Sequence, residues 1–321
     1  MRLVDRRRPS QLFLPARTLL LAKRLSAHYL LPTILFFSQQ ASLHGMTRPQ
    51  NAPPAAQAIP PSLLSIPPRN WVVDAVAKEL EALNNKGPYL RYRMHIVDAK
   101  GDQVRDIVES RDGTVARLIL RDGKTITEDQ DKAERQRLND MLGNPAAFAH
   151  HVKDSSSGKK IADQLIRLMP DAMIYSYVPE QPQTGKNPGL TEVVIDYEPN
   201  PKFHPPTTTA EALTGLRGRA WIDPKTKNII RMEGDVFRSV NFGWGMLAHI
   251  YPGGHLVIDQ ADAGNGRWIF THFVERITVR ALMVKTLSIK TNVDASNFQT
   301  IPAMSYQDAV RLLLNTSLPV Q

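Results

Sequence analysis

From Leu90 onward, apolar and polar residues change places at nearly every step. Leu90, Tyr92, Met94 and Ile96 alternate with Arg91, Arg93, His95 and Val97. A period of two belongs to an extended strand and puts the two sets on opposite faces. Gly101-Asp102, Asp112-Gly113 and Asp122-Gly123 then act as turn signals. They delimit strands over 103–110 and 114–120 and a short one at 125–126, an antiparallel meander. The same alternation returns at Thr191, Val193, Ile195 and Tyr197, and again at Ile230, Met232 and Val236. Long strands are expected at about 255–262, 267–279 and 282–292. The count is nine or ten strands.

Helical spacing appears in three places. Trp71, Val72, Ala75, Val76, Leu80 and Leu83 recur every three or four residues before Gly87-Pro88 ends the run. Residues 127–170 interrupt the strands with a helical insertion. Thr127 followed by Glu128, Asp129 and Asp131 reads as a capped start. A second short helix is expected near Pro145 and a third over 159–169, with the SSSG at 155–158 as a joint. A closing helix runs over 305–314, capped by Ser305. Strands follow strands without a helix alternating between each pair, so the fold is mainly β, an α+β arrangement. The expectation is a curved antiparallel sheet or half-open barrel with a helical cover inserted mid-chain.

The first 69 residues read differently. Residues 1–45 carry seven Lys/Arg (Arg2, Arg6, Arg7, Arg8, Arg17, Lys23, Arg24) against Asp5, a balance of +6 out of the chain's +9. Only +3 remains for the rest, so composition does not point to a nucleic-acid binder. A basic region, the apolar run from Tyr29 to Phe37 and then SQQASLHG follow the order of a secretory signal peptide. The apolar run is shorter than the roughly 20 residues that span a bilayer. The expected location is exported, soluble and periplasmic, with no lipobox cysteine, because the chain has no cysteine at all. That also excludes disulfides and thiolate chemistry. Residues 46–69 hold seven prolines and read as an extended linker. The folded domain is then 70–321.

Candidate chemistry is sparse. His150-His151 and the pair His249/His255 lack a carboxylate partner at ligand spacing, so no metal and no cofactor is expected. Asp196/Glu198 and Glu233/Asp235 lie two apart on strands and alternate with apolar residues, as on a solvated face. No nucleophile elbow or phosphate loop is present, and no catalytic residue is assigned. The stretch NFGWGMLAHIYPGGH, 241–255, is long for a hairpin connection. Phe242, Trp244, Met246 and Tyr251 make it either a flap that meets a lipid, a membrane surface or a partner, or a loop folded onto the core.

Residues 219–234, RAWIDPKTKNIIRMEG, read as strand, turn and strand. Their Trp-Ile-Asp turn and Ile-Ile-Arg continuation resemble the hairpin of the outer-membrane lipoprotein carrier superfamily, the LolA/LolB type. The YLRYRMHIVDAKGDQVRDIVESRDG start, 89–113, is similar to the opening strands of the related MucB/RseB regulators. The first resemblance implies a half-open barrel whose hollow takes acyl chains, without catalysis, with lipid or lipoprotein as partner. The second implies an envelope regulator acting through protein contacts. For the carrier reading, the apolar positions Tyr92, Met94, Ile96, Val193, Ile195, Ile230 and Met232 are expected to line the hollow together.

Overall fold

The computed structural model describes residues 61–84, 88–179, 183–184, 191–243 and 245–319. The expected signal segment 1–45 lies outside the described residues.

Alternation and turn chemistry produce the first meander: β1 (Tyr89–Asp98), β2 (Gly101–Ser110), β3 (Gly113–Arg121) and β4 (Lys124–Thr125), all antiparallel. Gly113 takes φ 145° at the β2–β3 turn, a region that glycine enters without a Cβ clash. The later strands are β5 (Met173–Tyr177), β6 (Gln183–Thr184), β7 (Thr191–Pro199), β8 (Leu216–Ile222), β9 (Ile229–Val236), β10 (Val240–Phe242), β11 (Ala248–Ile250), β12 (Gly254–Asp262), β13 (Trp268–Ala281) and β14 (Lys285–Ile301). The main strand order is β4-β3-β2-β1-β14-β13-β12-β9-β8-β7-β5. The result is an open, curved antiparallel sheet, wider than the nine or ten strands the pattern suggests. The excess comes from two-, three- and five-residue strands, too short to leave a period in the sequence.

The helices are α1 (Pro61–Leu64), α2 (Pro68–Asn84), α3 (Glu128–Gly143), α4 (Pro145–Ala172) and α5 (Tyr306–Asn315), with a 3₁₀ turn at Thr209–Gly215. Thr127 caps α3 with a full capping box: its hydroxyl accepts from Gln130 N, and the Gln130 side chain accepts from Thr127 N. The insertion contains two helices, not three. The SSSG segment lies inside the 28-residue α4. Both halves of α4 are anchored: Phe148 and Val152 pack with α3 and α5, and Ile161, Leu165, Ile166 and Met169 pack toward the sheet. Helix propagation between two docked ends outweighs the roughly 1 kcal/mol propensity deficit of one glycine.

The linker also ends earlier than its prolines suggest. Leu63 and Ile66 pack against the core beside Trp71, the Ile66 carbonyl accepts a hydrogen bond from Tyr177 Oη (2.5 Å), and Pro68 opens α2. Proline at the first helical position loses no hydrogen bond.

At the other end α3 shields the open side of β3. Glu134 Oε1 accepts from Leu118 N (2.8 Å), and Arg137 donates to the Ala116 carbonyl (2.5 Å). Free strand edges invite aggregation, and these bonds close this one. The buried Arg117 joins three elements. Its guanidinium donates to the Leu313 and Thr316 carbonyls at the end of α5 (both 2.6 Å) and to Asp131 of α3 (2.7 Å).

Candidate functional site

The pairing register carries one apolar row across the middle of the sheet. Ile96 lies opposite Val293, Val293 opposite Phe273, Phe273 opposite Ile258, Ile258 opposite Met232, Met232 opposite Ala220, and Ala220 opposite Ile195. Directly opposed residues of antiparallel strands share a face. Met94 and Tyr92 extend that face along β1, and Val193 extends it along β7. Six of the seven expected lining positions therefore do fall on one surface.

Ile230 is the exception. The β8–β9 pairing pairs Trp221 with Arg231 but Ile222 with Ile229, so Ile230 is the extra residue of a β-bulge. A bulge shifts the pleat by one residue. Ile230 consequently packs on the opposite face with Val178, Val194 and Trp221, and Ile229 takes the inward position beside Ile222.

Helix α2 covers the β7–β9 end of this face. Trp71, Val72, Ala75 and Val76 are buried against Val193, Ile195 and Ile222. The hairpin between β8 and β9 helps to hold it. Asp223 Oδ1 accepts from Lys225 N (2.7 Å) and Thr226 N (3.2 Å), and Lys227 takes the left-handed conformation at φ 64°. The left-handed residue of this turn is Lys227, where the sequence suggests Asn228. That conformation brings Lys227 Nζ to 3.4 Å from the centroid of the Trp71 ring, a cation–π contact. Trp71 Nε1 donates to Tyr177 Oη at 2.9 Å. The charged hairpin is thus part of the scaffold around α2.

At the β7–β9 end the expected hollow is closed in this structure. Between α2, α4 and the sheet remains an apolar void of about 20 Å³, lined by Val76, Met169, Tyr175, Ile195, Ile229 and Met232 among others. That is room for one water molecule. The helical cover fills the rest with its own side chains.

Polar groups on this face are few and buried. Tyr197 reaches across Gly218 and Gly234 to donate to the Glu233 carbonyl at 2.7 Å. A Cβ on Gly218 would meet that carbonyl oxygen at 1.9 Å, so only glycine fits there. Burial raises the Tyr197 and Tyr175 hydroxyls well above the ordinary phenol range. Glu79 of α2 is half-buried, with its carboxyl head enclosed. Burial raises it to about 7, against the opposing effect of a hydrogen bond from Gln260 Nε2 (3.0 Å). Glu275 is 0 % exposed, and neither carboxyl oxygen has a hydrogen-bond partner among the described residues. It stands between Phe273 and Ile277 along β13, with Leu256 and Thr291 directly opposite. Burial pushes it up to about 7. Sequence reasoning missed it. The signal was present: in THFVERITVRA the acid falls on the apolar phase of the alternation.

The middle of the opposite face is polar. His95, Asp294, His272, Asp259 and Arg231 stand opposite one another on successive strands. Three of the four carboxylates of the Asp196/Glu198 and Glu233/Asp235 pairs are engaged there: Asp196 with Arg219 (2.6 Å), Glu233 with Arg231 (2.5 Å) and Asp235 with His255 (2.7 Å). No group of three or more potential ligands is placed to hold a metal ion among the described residues.

The 241–255 stretch is not one loop. It begins within β10, turns at 243–247, returns as β11, and β11 pairs with β13. Phe242 is buried with Val240, Ala248 and Ile250, so it belongs to the core and not to a flap. Tyr251 is half-buried, with its N–H bound to the Thr278 carbonyl. Met246 is exposed at the tip, and Trp244 lies outside the described residues. No helix among the described residues is long and apolar enough to cross a membrane.

No family model and no curated protein matches this chain. Among solved structures, a DUF1329 family protein from Desulfovibrio piger aligns over 76 % of this chain and 100 % of its own, at 11 % identity and a TM-score of 0.27. At that score the likeness carries no argument about fold or function.

Proposed function

We propose that the protein is a non-catalytic binder of an apolar ligand, an acyl chain being the best fit, and that the ligand occupies the sheet face now covered by α2. One observation carries this reading. The apolar row runs uninterrupted from β1 to β7, and what closes its far end is a cover of two helices, α2 and the C-terminal half of α4. Support for the ligand class comes from the resemblance of the Trp221–Arg231 hairpin to lipoprotein carriers.

The energetics permit exchange. The five buried side chains of α2 contribute on the order of 10 kcal/mol of apolar burial. An acyl chain of about a dozen methylenes, at about 0.8 kcal/mol each, contributes a similar amount on the same surface. Two states so close in free energy interconvert with modest differential affinity.

The test uses the environment-sensitive probe N-phenylnaphthylamine and amide hydrogen exchange. Probe fluorescence should rise on adding protein, and exchange across 68–84 should accelerate at saturation while β7, β8 and β13 stay protected. An absence of probe binding up to its solubility limit, or binding that leaves α2 as protected as before, rules the proposal out.

A further inference from the structure

Two loops at one end of the sheet lie side by side. β11 pairs with β13 through Ala248–Ala281 and Ile250–Val279, and Leu282 N donates to the Leu247 carbonyl at 3.0 Å. The loop 243–247 therefore abuts the turn 282–284. Together they expose Met246 (57 %), Leu247 (48 %), Met283 (63 %) and Val284 (89 %). Scattered exposed apolar residues are ordinary, but a cluster on adjoining tips is not.

The turn is also strained. Leu282 and Met283 both adopt left-handed backbone, at φ 49° and 58°. Hairpin turns of this geometry prefer Asn-Gly or Asp-Gly, and each left-handed non-glycine residue costs about 1 kcal/mol or more. A leucine and a methionine in these positions serve neither solubility nor turn stability. Strain of this kind is characteristic of functional segments.

Charge selects the partner. No Asp or Glu occurs from 236 to 258 or from 276 to 293. Arg280 and Lys285 stand at the base of the turn 282–284, opposite Thr286 and Ala281. Of the four acids that border these segments, Asp235, Asp259 and Asp294 are bound to His255, Arg231 and His272, and Glu275 is buried. We infer that the paired tips 245–247 and 282–284 dock on an anionic lipid surface, the four apolar side chains entering the headgroup region and Arg280 and Lys285 meeting lipid phosphates. Apolar insertion flanked by Lys and Arg is the physical basis of peripheral membrane attachment. This surface is separate from the α2-covered face and does not depend on it.

The test is co-sedimentation of the full chain with vesicles. Binding is expected to phosphatidylcholine vesicles containing phosphatidylglycerol, to fall as salt is added, and to be weak on phosphatidylcholine alone. Val284→Asp, at a fully solvated position, should weaken binding roughly tenfold, the loss of one buried apolar side chain. The double change Leu282→Asn with Met283→Gly should weaken binding comparably and raise the melting temperature, because it relieves the left-handed strain. Opposite signs for binding and stability mark a segment kept for function. Wild-type protein that ignores anionic vesicles, that binds both vesicle types equally, or whose Val284→Asp form binds unchanged overturns the inference. So does a concentration-dependent dimer that Val284→Asp abolishes, because the tips would then join two copies of the chain.

Discussion

Arg117→Ala is expected to lower stability by about 3–5 kcal/mol, the effect of breaking a buried, hydrogen-bonded charge network. For a domain of this size that is a fall of roughly 10 °C in melting temperature. Arg117 is 0 % exposed and ties the α5 carbonyls of Leu313 and Thr316 to Asp131. Its removal takes the guanidinium donor from the Leu313 and Thr316 carbonyls, leaving Leu313 with the Thr316 N–H and Leu314 with Arg135. It also leaves Asp131 with Arg135 as its remaining ion-pair partner. Burial alone would raise the Asp131 carboxyl, but hydrogen bonds from Arg117 and Arg135 hold it below its ordinary range. Arg117→Lys should recover little, because an ammonium group cannot reach three acceptors from one planar fork. Thermal melting monitored by circular dichroism measures the loss, and limited proteolysis should show α5 cleaved first. A melting temperature within a degree or two of wild type would show that the network is not structural.

Glu275→Gln is expected to stabilise the protein by about 3 kcal/mol above pH 7 and by almost nothing in acid. The sign follows from linkage. The folded carboxyl titrates at about 7 and the unfolded one at 4.5, so between those values the folded state holds the extra proton. Stability therefore falls as pH rises through that window, and above it the full cost of an ionised, unpartnered carboxylate is present. Glutamine matches the protonated form in shape and cannot ionise. Urea unfolding of both proteins across the window isolates the effect as their difference, which removes every other titrating group. A difference that does not change with pH would mean that Glu275 finds a partner or water. Burial raises Glu79 of α2 into the same range, to about 7. Wild-type stability should therefore soften toward alkaline pH by more than Glu275 accounts for.

Much of the architecture was legible as period. Strands β1, β2, β3, β7, β8, β9, β12 and β13 were readable from alternation and turn residues. Helices α2, α3 and α5 were readable from three- and four-residue spacing and from Thr127 and Ser305 as caps. These signals are local, and each residue's neighbours along the chain suffice to express them. The candidate site was legible in part for the same reason. Tyr92, Met94, Ile96, Val193, Ile195 and Met232 lie on one face because the period of two survives in those strands.

What the chain alone could not fix depended on partners distant in sequence. Ile230 left the expected face because a bulge forms only when β8 and β9 are paired, and a one-residue offset reverses every side chain beyond it. The SSSG segment became helix because packing at both ends of α4 outvoted its local preference. Phe242 became core because β11 pairs with the end of β13, Ala248 lying opposite Ala281 far along the chain. The filled interior was the largest such decision. Alternation can say that a face is apolar. It cannot say whether that face meets a ligand or the chain's own Trp71, because burial rewards both alike. Only the three-dimensional arrangement, in which α2 lies over Val193, Ile195 and Ile222 with space for one water, settles which of them occupies it in this state.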